Sequence, residues 1–129
     1  MTLYSVAIAL HVLVAVLAVG LVGAIPVTAR LAEGPSAESL LRRLLRAVQA
    51  GLGAMVITGV LLDVAASGAF HRTTWFKASI LLLVVLGFSL GRARAALRRG
   101  ALATIERWGW VMCASVGLIT LLMQTKVLP

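Results

Sequence analysis

Apolar residues are gathered into four long runs separated by polar and mostly basic segments. The first extends from Leu3 to Val27 and is interrupted by Tyr4, Ser5, His11 and small residues. The others cover Ala47 to Phe70, Thr73 to Gly91 and Trp108 to Thr125. A helix needs about 20 predominantly apolar residues to cross the hydrocarbon of a bilayer. The pattern therefore predicts an all-α, integral membrane four-helix bundle in one domain over residues 1–129, with spans at about 3–27, 47–70, 73–91 and 108–125. The first run has no basic segment before it and is longer than the apolar core of a signal peptide, so it reads as a span. Pro26 is expected to kink or end that helix.

Between the first two runs, Leu40, Leu41, Leu44 and Leu45 alternate with Arg42, Arg43 and Arg46 at helical spacing. Ser36 is the expected cap, and Glu38 stands four residues before Arg42 in the supportive order. This segment is expected to lie on the membrane surface. The stretch Arg92 to Arg99 should continue the third helix beyond the hydrocarbon until Gly100 interrupts it. Trp75, Trp108 and Trp110 suit membrane–water interfaces. Gly87 and Gly91 make a G-x-x-x-G helix-contact signal.

Composition agrees: 61% of the 129 residues are hydrophobic, against roughly 45–50% in soluble domains. Twelve basic and four acidic side chains are too few to coat a soluble protein of this length. The formal charge of +8 resembles a nucleic-acid footprint until position is considered. Nine of the twelve basic residues fall at 30–46 and 92–107, between apolar runs, where positive charge sets orientation. The expectation is an inner-membrane, multi-pass protein with loops 28–46 and 92–107 cytoplasmic and both termini on the opposite side. No nucleic acid is expected. Arg42, Arg43, Arg46, Arg92, Arg94, Arg98 and Arg99 should instead meet anionic lipid headgroups.

Few polar residues fall inside the spans, and they collect in the outer half. His11 lies about eight residues into its span, roughly 12 Å deep. Asp63, Lys77, Thr120, Gln124 and Lys126 lie toward the outer ends, with His71 and Arg72 in the outer loop. Asp63 is the only acid outside the two basic segments, and an ionised Asp in a span requires a partner. Lys77, Arg72 and His11 are the expected choices. His11 shares a face with Tyr4, Ala7, Ala15 and Ala18, which leaves room beside an imidazole able to ligate haem iron. Cys113, Gly117, Thr120 and Gln124 form a stripe expected to face the bundle, with Met112, Ser115, Ile119 and Met123 on the adjacent face. The single cysteine excludes an intramolecular disulfide.

The segment "ALHVLVAVLAVG" around His11, with Pro26 fifteen residues on, is similar to the opening of the HemJ and CopD superfamily of small membrane proteins. "WFKASILLLVVLGF", which sets Lys77 at the start of span three, and the tail "LLMQTKVLP" with Lys126 continue the resemblance. The chain looks most like the uncharacterised integral membrane proteins allied to that group. Two positions depart from its pattern: no tryptophan follows His11, and Arg30 is the nearest arginine after Pro26. The resemblance implies a four-helix bundle with His11 and Lys77 as functional residues, in a group linked to haem, protoporphyrinogen oxidation and copper passage.

The resulting expectation is an outward-facing polar pocket of His11, Asp63, Lys77 and Gln124. In it His11 ligates the metal of a haem or another porphyrin, Lys77 holds a carboxylate of that group, and Asp63 orients one of the two. The alternatives are a proton- or metal-ion-coupled permease working as a homo-oligomer through Asp63, and a non-catalytic accessory subunit of a membrane complex.

Overall fold

The computed structural model describes residues 2–31 and 34–125, so Lys126 and the tail proline lie outside the described residues. Four helices follow one another: α1 (Leu3–Leu31), α2 (Pro35–Ala65), α3 (Thr74–Arg98) and α4 (Leu102–Thr125). All four are long and apolar enough to cross a membrane. They run alternately up and down, and each packs against its two neighbours in a closed ring, with α2 and α3 touching least. Both helix termini of the described chain, at Leu3 and Thr125, therefore share one end, which also carries His71 and Arg72. The other end carries the arginine-rich segments.

Helix formation continues through most of the polar segments. The stretch 36–46 is helical and continuous with the second span, as its pattern predicts. It is the first third of α2, with Ala37, Leu41, Leu45 and Val48 buried at spacings of four, four and three. One stripe of this amphipathic stretch faces the core, while Arg42, Arg43 and Arg46 point out. Ser36 is not a cap: Gly34, with φ 82°, precedes Pro35 in the first turn, and no side chain caps the helix. Leu, Ala and Arg are all good helix formers, and the expected loop at 92–107 is helical except around 99–101. Most of its basic residues thus sit on helix ends, as predicted for Arg92–Arg98. Gly100, with φ 68°, makes the turn into α4. At the far end α2 stops at Ala65, short of Phe70, because Ser67 and Gly68 adopt positive φ.

The tightest packing is at the basic end. Val22, Ile25 and Ala29 of α1 meet Leu41, Leu45 and Val48 of α2, with Leu86, Leu90, Ala93 and Ala96 from α3 and Ile105 and Met112 from α4. Trp108 packs edge-on to Phe88 at 5.8 Å, with the Arg92 guanidinium 5.8 Å from its ring. Trp75, expected at the interface, is instead 8% exposed and packs edge-on against Phe70 and Phe76.

Pro26 neither ends α1 nor faces lipid: the helix continues to Leu31 and the proline is buried. Its ring leaves the carbonyl of Val22, four residues earlier, without the usual backbone donor. The Cys113 thiol approaches that oxygen at 3.8 Å, a weak replacement of the kind that lets neighbouring helices accommodate proline in a membrane. Gly109, one turn before Cys113, makes room for the ring. A Cβ at Gly109 would stand 2.9 Å from Pro26 Cδ, 3.0 Å from its Cβ and 3.1 Å from its backbone nitrogen.

Because a proline ring and backbone cannot swing aside, Gly109→Ala should destabilise the bundle by roughly 1–3 kcal/mol, the range for overpacking. Gly117→Ala, whose added methyl meets nothing within 4 Å, should leave stability unchanged or slightly raised. Thermal unfolding of the purified protein in detergent checks the contrast; equal effects would contradict this packing.

Candidate functional site

His11 occupies the bundle-facing stripe of α1 that also holds Ala7, Ala15 and Ala18. Its Nδ1 lies 2.8 Å from Thr58 Oγ1 on α2. The hydroxyl of Thr58 points its single proton at the Ala54 carbonyl, 2.8 Å away and one turn back. With that proton on the carbonyl, its oxygen is the acceptor for His11 in the tautomer that carries its proton on Nδ1. The other nitrogen, Nε2, keeps a lone pair. Nε2 makes no hydrogen bond among the described residues, and the His11 side chain is half-buried. Gly59 lies beside the ring, where an added Cβ would approach Cε1 to 3.6 Å. Threonine and glycine thus meet the ring from the α2 side.

Asp63 has a different setting from the one expected. Its partner is His71, not Lys77, Arg72 or His11. Oδ2 lies 3.0 Å from His71 Nδ1, and Oδ1 accepts the backbone N–H of Phe70 at 3.0 Å and of His71 at 3.2 Å. The His71 ring folds over Gly68, where a Cβ would meet its Cε1 at 2.7 Å, and the positive φ of Gly68 already favours glycine. Asp63, Gly68 and His71 together close the turn between α2 and α3. The sequence reading treated His71 as an ordinary loop residue and passed over Thr58. The eight-residue spacing from Asp63 to His71 and the turn-forming Ser67–Gly68 were the available signals.

Lys77 is exposed in the first turn of α3 and Gln124 is exposed near the end of α4. No hydrogen bond or ion pair joins His11, Asp63, Lys77 and Gln124 to one another among the described residues. Their common feature is the end of the bundle they occupy. The stripe from Cys113 does not face the interior as a whole. Ile105, Met112, Ser115 and Ile119 do, whereas Gly117, Thr120 and Gln124 are exposed. The rotation follows from the Pro26–Gly109 contact, which fixes the face α4 turns to α1. Cys113, Gly117 and Thr120 instead line an apolar groove of about 370 Å³ with Val19, Val22, Gly23 and Val116 of α1 and α4.

No three His, Cys, Asp or Glu side chains converge as metal ligands among the described residues. No family model, curated protein or solved structure matches this chain.

If Asp63 is the clamp of the far turn, Asp63→Ala should speed amide hydrogen exchange across residues 66–73. His71→Ala should have a smaller effect, since both backbone bonds to Oδ1 remain. Exchange measured by mass spectrometry in detergent micelles checks the order; His71→Ala loosening the turn as much as Asp63→Ala would contradict it.

Proposed function

We propose that this multi-pass membrane protein holds a haem or another metalloporphyrin through one axial bond from His11 Nε2. The observation that carries the reading is the Thr58 contact, which favours the tautomer with its proton on Nδ1 and a lone pair on Nε2. A hydrogen bond to the second nitrogen is how metal-bound histidines are oriented and made more basic. The rest of the donor set fits too. A bare zinc or copper ion would need several converging protein ligands, and His11 has none beside it. A porphyrin brings four equatorial nitrogens of its own, so a lone imidazole suffices.

Lys77, exposed at the same end and without a described partner, offers a positive charge to a porphyrin carboxylate. Gln124 offers a neutral amide there. Asp63 is committed to the turn, which takes it out of the ligand-orienting role and weighs against a permease built on it. When bound, such a group would supply one-electron chemistry, and His11 would hold it through an imidazole nitrogen among apolar side chains. The resemblance of the segments around His11 and Lys77 to the HemJ and CopD group supports the same reading. The concentration of arginine at one end supports an inner-membrane orientation with that end cytoplasmic.

Purified protein supplemented with haem should show a Soret band that His11→Ala abolishes. Thr58→Val, which removes only the partner of Nδ1, should weaken haem affinity about tenfold or more, the usual range for such partners, while the protein still folds. No Soret band, or one insensitive to both substitutions, would overturn the reading.

A further inference from the structure

At the basic end, α2 and α3 enclose a cleft of about 200 Å³ lined by Arg42 and Arg46 from one helix, Arg94 and Arg98 from the other, and Leu45 and Leu97. We propose that this cleft binds the phosphate headgroup of an anionic phospholipid, whose acyl chain continues along the α2/α3 seam. Each helix contributes two arginines one turn apart. The register between them is set by the α3–α4 turn, where a Cβ at Gly100 would lie 3.9 Å from Glu38 Oε1. Counting from there in opposite directions puts Arg42 level with Ala96 and Arg46 level with Arg92, each about two residues from Arg98 and Arg94, so the two arginine pairs line the cleft from opposite helices at similar heights.

Four like charges in one cleft repel. Among the described residues the only ion pair is His71 with Asp63, at the opposite end. Glu38 and Glu106, the described acids at the basic end, pair with none of the four arginines. Among the described residues no acid balances these four charges, which suits the cleft to an external anion. Guanidinium groups recognise phosphate oxygens through paired N–H donors, and basic clefts between membrane helices are suited to anionic headgroups.

The surroundings favour a lipid over a free anion. Above the arginines, toward the hydrocarbon, the same face of α3 carries Gly91 and then Gly87, and α2 carries Gly53. A side chain on Gly91 or Gly53 would meet nothing within 4 Å. The α2/α3 contact is also the thinnest in the ring. At Gly87 an added Cβ would approach Leu52 of α2 to 3.8 Å, so the helices come together there. Of the G-x-x-x-G pair, Gly87 meets Leu52 of α2, whereas Gly91, three residues before Arg94, faces open space. We take this space as the start of the acyl-chain channel, for which a soluble phosphate has no use.

The test uses the full chain in a neutral detergent, titrated with dihexanoyl phosphatidylglycerol, dihexanoyl phosphatidylcholine or sodium phosphate and followed by melting temperature. Phosphatidylglycerol should stabilise the protein saturably, and phosphatidylcholine and phosphate should not. The Arg46→Gln/Arg94→Gln variant should weaken phosphatidylglycerol binding roughly tenfold or more. Arg30→Gln/Arg107→Gln, which removes equal charge outside the cleft, should alter it less than about twofold. Gly91→Leu, which fills the channel and spares the arginines, should also weaken lipid binding. Equal losses in the two arginine variants would reduce the effect to diffuse surface charge. Phosphate stabilising as well as the lipid, or binding indifferent to Gly91→Leu, would make the cleft a free-anion site; each of these results overturns the proposal.

Discussion

A bilayer offers no hydrogen-bond partners, so every polar group inside these spans must be satisfied by the chain itself. Most are satisfied locally. The hydroxyls of Ser79, Ser89, Ser115 and Thr120 each donate to the carbonyl four residues earlier, at 2.8–2.9 Å, and so hold no helix to another. Two described side-chain hydrogen bonds cross between helices: His11 with Thr58 and Cys113 with the Val22 carbonyl. Each answers a polar group that its own helix could not satisfy, an imidazole in one case and a carbonyl released by proline in the other. The remaining association rests on close packing of small residues, as expected where lipid competes equally for apolar surface. Gly51 against Ala18, Gly59 against His11 and Gly109 against Pro26 mark the closest approaches along α1.

That constraint divides the molecule. The basic half carries the contiguous core, extended past the spans by the amphipathic start of α2. The far half is more open: Val56, Ile57, Val60, Leu61 and Val64 on α2 are exposed and face lipid. Rigidity and accessibility are thus separated along the bundle axis. An imidazole with a free nitrogen belongs in the accessible half, where a flat apolar ligand can reach it from the bilayer. A charged headgroup belongs at the basic end, where arginine stems lie along apolar surface and guanidinium groups reach water.

Much of the architecture was legible in the residues. Run lengths predicted four spans, and the face shared by Ala7, His11, Ala15 and Ala18 is the one α1 turns inward. Helix ends were less legible, because Leu–Arg alternation reads equally as a surface helix or as the continuation of a span; only the burial of Leu41 and Leu45 distinguishes them. Pro26 showed why a local signal can mislead: its effect depends on Gly109 and Cys113, more than eighty residues away. For the site, His11 stood out as a lone imidazole among apolar residues, whereas Thr58 did not, since a threonine in a span ordinarily bonds its own helix and here does so while also accepting from His11. Asp63 was identified as needing a partner, but a reading by charge favoured Lys77 over the nearer histidine, whose position depends on the Gly68 turn.

The account turns on which nitrogen of His11 carries the proton. Nitrogen-15 NMR of the selectively labelled protein in bicelles, with His71→Asn removing the second histidine signal, reads this directly. The structure predicts a protonated Nδ1 and an unprotonated Nε2, with Nδ1 losing its hydrogen-bond signature in Thr58→Val. A proton on Nε2 would leave no lone pair facing outward and would contradict the account.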